Sequence, residues 1–172
     1  MRKDKVDMAG LEQGLRRWNA RKAGASSEPM KETAVILSRA VGRSIGRGDS
    51  MLSAEDVVEE CLERPSLRLA VYGSLAPGKV NAHVLELLAG VWTRGIVRGR
   101  LRAAGWGSAM GFPGLIWDMR GPEVAVQVLY SESLARDWQR IDDFEGEGYQ
   151  RILVPVECGD EIVVAHIYTL RG

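Results

Sequence analysis

Two stretches of the chain carry residue types that can do chemistry. In Asp142-Asp143-Phe144-Glu145-Gly146-Glu147-Gly148-Tyr149, four carboxylates fall within six residues, among glycines that favour turns. A carboxylate that burial has brought towards neutrality can accept a proton from one atom and return it to another. The same composition also describes a solvated helix end, where negative charge opposes the dipole. A calcium loop would need the spacing D-x-[DN]-x-[DN]-G, which this segment lacks. The second stretch is Val71-Tyr72-Gly73-Ser74-Leu75-Ala76-Pro77-Gly78. It follows the alternating run Leu67 to Tyr72 and breaks at Gly73, so its main-chain N–H groups leave the strand ladder and become available to a carboxylate or an oxyanion. An ordinary turn is the alternative. The stretch has neither the GxxxxGK[ST] of a P-loop nor the GxGxxG of a dinucleotide fold.

These residues must be positioned by elements that the sequence announces. Met8, Leu11, Leu15 and Trp18 recur at helical spacing and predict a first helix over 8–23. A second, over about Met30 to Val41, places Ala34, Leu37 and Val41 on one stripe before Gly42, Gly46 and Gly48 loosen the chain. A third starts at Ser53 as N-cap, with Glu55 and Asp56 in its first turn, and runs to Pro65. Six strands are then expected, over 67–72, 92–101, 115–119, 124–130, 151–157 and 162–170. Helices over 81–88 (Val84, Leu87 and Leu88 inward) and 133–143 (Leu134, Trp138 and Ile141 inward) interrupt them. This is an α+β chain: a helical extension over 1–65 and a domain over 66–172, whose six short strands suggest a closed or nearly closed sheet. In the last strand His166 shares a face with Tyr168 and could reach a cavity, but no second histidine, cysteine or serine motif argues for a triad.

Composition narrows the function classes. The chain has 172 residues, is 45% hydrophobic and 27% charged, and carries no net charge, which suits a folded domain. Residues 1–49 hold 11 Lys/Arg against 6 Asp/Glu, leaving 12 against 17 for the remainder. Nucleic-acid binding through Arg16, Arg17, Arg21 and Lys22 is not expected, because no aromatic stacking platform accompanies them. No apolar run approaches a membrane span and no signal-type segment opens the chain, so a cytoplasmic protein without membrane contact is expected. Cys61 and Cys158 have no CxxC spacing and are read as free thiols, and two histidines exclude a His-rich metal site.

In combination, V-Y-G-S-L-x-P-G, the downstream I-D-D-F-E-G-E-G-Y-Q-R and the strand R-I-L-V-P-V resemble the gamma-glutamylcyclotransferase-like family. Gly105-Trp106-Gly107 and Gly111-Phe112-Pro113-Gly114-Leu115 look like the segment bacterial members place ahead of the third strand, and Ala165-His166-Ile167-Tyr168 like their closing strand. The resemblance covers roughly residues 67–172. It implies a small mixed β-barrel of about six strands with flanking helices and a cavity at its mouth. It also implies release of 5-oxoproline from a γ-glutamyl-amine, peptide or amino acid, without cofactor or metal.

By this resemblance Glu145 is the catalytic acid/base and Tyr72, Gly73, Ser74 and Leu75 hold the γ-glutamyl group, with Tyr149 nearby. The motif glutamate precedes Gly146, which favours Glu145 over Glu147. Burial beside Phe144 and like charge from Asp142 and Asp143 are expected to raise its pKa. The alternative is a non-catalytic module of the same fold that binds a small ligand or a protein, in a regulatory or toxin–antitoxin-type pair. In that case the N-terminal helices would bind a protein partner or another copy. The chain departs from the family pattern where Asn81 is followed by Ala82 rather than a histidine, with His83 one place later. It departs again at Gln127, where a glycine is common and the cavity floor would change, and conservatively at Ile141.

Overall fold

The computed structural model describes residues 1–44, 52–105 and 111–171. Gly46, Gly48, Trp106 and Gly107, singled out in the sequence, lie outside these residues. Among the described residues no helix is long and apolar enough to cross a membrane. The chain divides into two compact units: Met1–Pro65 with Leu153–Val164, and Ser66–Ile152 with Ala165–Gly172.

In the first unit, helix α1 (Met8–Lys22) buries Leu11, Leu15 and Trp18, the i, i+4, i+7 stripe of its sequence. The Asp7 side chain caps it by accepting from the Gly10 amide at 3.1 Å. Helix α2 (Met30–Ala40) buries Ala34 and Leu37. Helix α3 (Ala54–Cys61) opens with a full capping box between Ser53 and Asp56. It ends before Pro65 is reached, because Glu63 and Arg64 adopt positive φ of 59° and 62° and the Arg64 amide turns back to the Glu59 carbonyl at 2.6 Å. Leu153, Val154, Val156, Ile162 and Val164 are buried in the same unit. There the Asn19 side chain donates to the Leu153 carbonyl at 2.8 Å and accepts from its amide at 2.9 Å, so that one carboxamide does the work of a neighbouring strand.

The strands are β1 (Arg68–Val71), β2 (Val91–Arg102), β3 (Gly114–Trp117), β4 (Glu123–Tyr130), β5 (Tyr149–Cys158) and β6 (Glu161–Leu170). They follow the order β3-β2-β4-β1-β6-β5, and β5 pairs back onto β2. Five of the six expected strands therefore close a barrel, and β3 adds to β2 outside it through Gly99↔Trp117 to Arg102↔Gly114. The sheet is mixed: β1 runs antiparallel to β4 but parallel to β6, with Leu69 opposite His166. A core including Leu69, Val71, Leu129, Tyr149 and Tyr168 from the strands packs against the two remaining helices.

Those helices differ from expectation in ways that bear on the site. Helix α4 is a single turn (His83–Glu86). It buries Val84 and Leu85, with Leu88 beyond it, while Leu87, expected inward, is 89% exposed; a single turn cannot carry a stripe through 81–88. Helix α5 (Leu134–Glu145) buries Leu134 and Ile141 and runs two residues past the expected Asp143. Asp142 to Glu145 are thus the last helical turn rather than part of the loop that follows. The Trp138 indole donates to the Ser66 carbonyl at 3.0 Å.

Replacing Asn19 with Ala would leave the amide and carbonyl of the buried Leu153 without their partner. We predict a loss of about 1–3 kcal/mol of stability, read as a lower urea midpoint at unchanged slope. An unchanged midpoint would show that the carboxamide merely substitutes for water.

Candidate functional site

The end of α5 and the end of β1 carry the two stretches that the sequence singles out. Helix α5 stops because Gly146 takes φ 73°, its amide bonding to the Asp142 carbonyl at 2.9 Å. The Tyr149 amide, at the start of β5, then donates to the Gly146 carbonyl at 3.2 Å. Arg171 holds this reversal from the far side: its amide donates to the Gly148 carbonyl at 3.1 Å and its Nε to the Tyr149 carbonyl at 3.0 Å. The turn that follows Glu145 is therefore fastened at both its limbs.

The loop after β1 is folded on itself. The Ala76 amide donates to the Gly73 carbonyl at 3.1 Å and the Asn81 amide to the Ser74 carbonyl at 3.0 Å. The Asn81 carboxamide also donates to the Ser74 hydroxyl at 3.0 Å. The carbonyls are thus turned inward to the loop. Among the described residues, the amides of Gly73, Ser74 and Leu75 donate no hydrogen bond.

These elements surround one cleft of about 430 Å³, counting the space at its open mouth. Tyr72, Gly73, Ser74, Leu75, Glu145 and Tyr149, all named from the sequence, line it together with Phe112, Pro113 and Tyr168. Glu147 is exposed and does not line it, nor do Gln127, His83 or His166. Gln127 instead sits in the β4 ladder opposite Val71 and Arg94. Gln127, expected at the cavity floor, is thus not among the residues that line the cleft. His166, read as able to reach a cavity, packs edge-on to Trp138 with ring centroids 4.8 Å apart. Among the described residues no group of three or more His, Cys, Asp or Glu could hold a metal ion.

Burial in the cleft pushes the Glu145 carboxyl up to about 7 from an ordinary 4.5. The expected contribution of like charge from Asp142 and Asp143 is absent. Asp142 is neutralised by Arg151, whose Nε and Nη2 donate to its two oxygens at 2.8 and 3.0 Å. Asp143 is exposed and accepts from Gln139 at 2.8 Å.

Three features of the site have no local sequence signal. The Tyr72 hydroxyl is committed to the protein: it donates to the Tyr168 carbonyl and accepts from the Leu115 amide, both at 3.0 Å. Its proton is therefore not available to a ligand, which could reach the ring, the main chain or the remaining lone pair of the oxygen. A Cβ at Gly105, whose φ is 82°, would stand 2.3 Å from the Tyr149 hydroxyl, so only glycine allows the chain to approach the ring there. Tyr168 enters the cleft from β6, 23 residues after Glu145 in sequence, and alternation alone gave no means of choosing it over its neighbours.

A family model described as gamma-glutamyl cyclotransferase, AIG2-like, matches residues 69–172. Among solved structures, the chain is similar to YkqA from Bacillus subtilis at 27% identity and a TM-score of 0.49, over 60% of this chain and 35% of that one. It is similar to an AIG2-like protein from Mus musculus at 25% identity and a TM-score of 0.48, over 60% of this chain and 76% of that one. For the protein PH0828 from Pyrococcus horikoshii the values are 22%, 0.44, 60% and 77%. The chain thus spans about a third of the length of the Bacillus protein. No curated protein matches it.

The raised Glu145 pKa has a consequence for stability. A carboxyl whose folded pKa exceeds its unfolded value stabilises the fold below the unfolded pKa and loses that contribution as pH rises through the folded one. Relative to a Glu145→Gln variant, the native protein is expected to lose stability between about pH 4.5 and about 7 and to run parallel above that. Urea midpoints of the two proteins across this window test it. Curves parallel throughout would mean that Glu145 is not buried as the structure has it.

Proposed function

The chain belongs to the gamma-glutamyl cyclotransferase, AIG2-like family through residues 69–172, and from that membership we propose that it converts a γ-glutamyl-amine, peptide or amino acid into 5-oxoproline and a free amine. The observation that carries this reading is the meeting of two groups in one cleft: a carboxyl brought near neutrality by burial, and a loop with three unengaged amides.

An α-ammonium has no lone pair with which to attack. As a carboxylate, Glu145 takes one of its protons, and the freed amine forms a bond to the side-chain amide carbon of the same molecule. Glu145 returns its proton to the leaving nitrogen as that bond breaks; it then accepts the proton that the ring nitrogen sheds and passes it to the departing amine, which leaves as an ammonium. General acid–base help of this kind is worth about 10²–10⁴ in rate, and most when the pKa lies near the working pH. Nucleophile and electrophile share one molecule, so the site has mainly to hold it in a ring-closing shape. Amides of Gly73, Ser74 and Leu75 directed at the carbonyl oxygen would stabilise the tetrahedral intermediate, each by about 3–4 kcal/mol when aligned.

The test is incubation of the native protein and Glu145→Gln with a panel of γ-glutamyl compounds, with 5-oxoproline read by mass spectrometry. We expect native turnover and a loss of about 10²–10⁴ in the variant. Activity retained by Glu145→Gln would sink the mechanism, and ligand binding without any product would indicate the non-catalytic module instead. Because Glu145 must be ionised to accept the proton, native kcat/KM is expected to rise with pH through about 7 and then level. A limb near 4.5 would show an unburied base.

A further inference from the structure

One wall of the cleft has a hydrogen-bond polarity set from outside it. The Tyr168 hydroxyl lies against Asp142 Oδ1 at 2.5 Å. Asp142 is a carboxylate: burial opposes its charge, but the Arg151 hydrogen bonds and charge and the Tyr168 hydroxyl together hold it below its ordinary pKa. A carboxylate only accepts, so the phenol proton must point at Asp142. Arg151 is in turn locked in place, its guanidinium 4.2 Å from the centre of the Trp138 ring while both Asp142 oxygens take its N–H groups. With its proton spoken for, the Tyr168 hydroxyl can offer its surroundings only lone pairs. Its neighbourhood in the cleft has the same sign, since the Glu145 charge acts on the phenols of both Tyr168 and Tyr72. The same cleft is lined by Gly73 to Leu75, whose amides are donors and donate no hydrogen bond among the described residues.

The geometry points to Tyr168 as a ligand contact that accepts a hydrogen bond from a cationic ammonium group, and to Asp142 as the positioning residue that makes it an acceptor. The inference rests on the cyclotransferase reading for the molecule that brings the ammonium. It adds a second acceptor beside Glu145 and a reason why Asp142, three residues earlier on α5, is an acid. An amide at position 142 would behave differently. Its single oxygen would be held by Arg151 and its NH₂ would turn to Tyr168, whose hydroxyl would then accept there and turn its proton to the cleft.

The experiment compares binding of γ-L-glutamyl-L-alanine with that of glutaryl-L-alanine, the same compound without its α-amine, by calorimetry. Glu145→Gln serves as the parent protein so that no turnover intervenes. The parent is expected to prefer the amine-bearing compound. Adding Tyr168→Phe should cut that preference by about 10- to 100-fold, the range of a hydrogen bond to a charged group, and leave glutaryl-alanine binding unchanged. Adding Asp142→Asn instead should erode the same preference, and should erode it no further once Tyr168 is Phe. A preference untouched by Tyr168→Phe overturns the inference, as does equal weakening of both compounds by Asp142→Asn or binding of neither by the parent. A preference that follows this pattern, in a protein whose native form makes no 5-oxoproline, would uphold the inference and sink the cyclotransferase reading alone.

Discussion

The carboxylate of Asp142 ties together three of the elements that line the cleft. It sits in the last turn of α5 and receives Arg151 from β5 and Tyr168 from β6. The pair with Arg151 is partly open to water, with 24% and 35% of the two side chains exposed. Its contribution is therefore more geometric than energetic, because solvent screens ion pairs of this kind. A forked guanidinium on a carboxylate has one good arrangement. Adopting it fixes the rotation of α5 about its axis and so decides which residues of the final turn meet the barrel. Glu145 follows one turn later and comes to the cleft, while Asp143 between them is left in water.

The second tie is the Tyr72 hydroxyl, which bonds the end of β1 to the main chains of β6 and β3. It draws Gly114-Leu115 towards the cleft, and with them Phe112 and Pro113. A phenol that bridges two backbones is a costly residue to leave unpaired, which explains its place at the point where the strand gives way to the loop. Tyr72 and Asp142 thus act alike: each uses a polar side chain to hold backbone or charge in place at the edge of the cleft.

Glu145 itself is a local conflict. Its burial opposes ionisation, and the fold gives up stability above neutral pH to keep it there. Consistency between levels is the usual condition of a foldable sequence, and departures from it collect at functional sites. The amides of Gly73 to Leu75, which have no partner among the described residues, are a second departure within the same cleft. That two such departures line one cleft is a stronger reason to seek a ligand there than either would be alone.

Much of this protein was legible from its residues, because the features concerned depend on neighbours a few positions away. The stripe of Leu11, Leu15 and Trp18, the Ser53 cap and the existence of six strands all follow from local spacing and turn chemistry, and the structure has them. The paired motifs drew Tyr72 to Leu75, Glu145 and Tyr149 into one list, and all six line one cleft. What the residues did not determine depended on partners far along the chain. Closure of the barrel needs β5 to return to β2. The Asn19 carboxamide finds Leu153 across 134 positions, and the Tyr72 hydroxyl finds Tyr168 across 96. Helical spacing put Leu87 inside, but a single-turn α4 leaves it in water. The sign of the charge beside Glu145 was also a tertiary matter. In sequence Asp142 is one more acid in a cluster; in space Arg151 cancels it, and it is burial that raises Glu145.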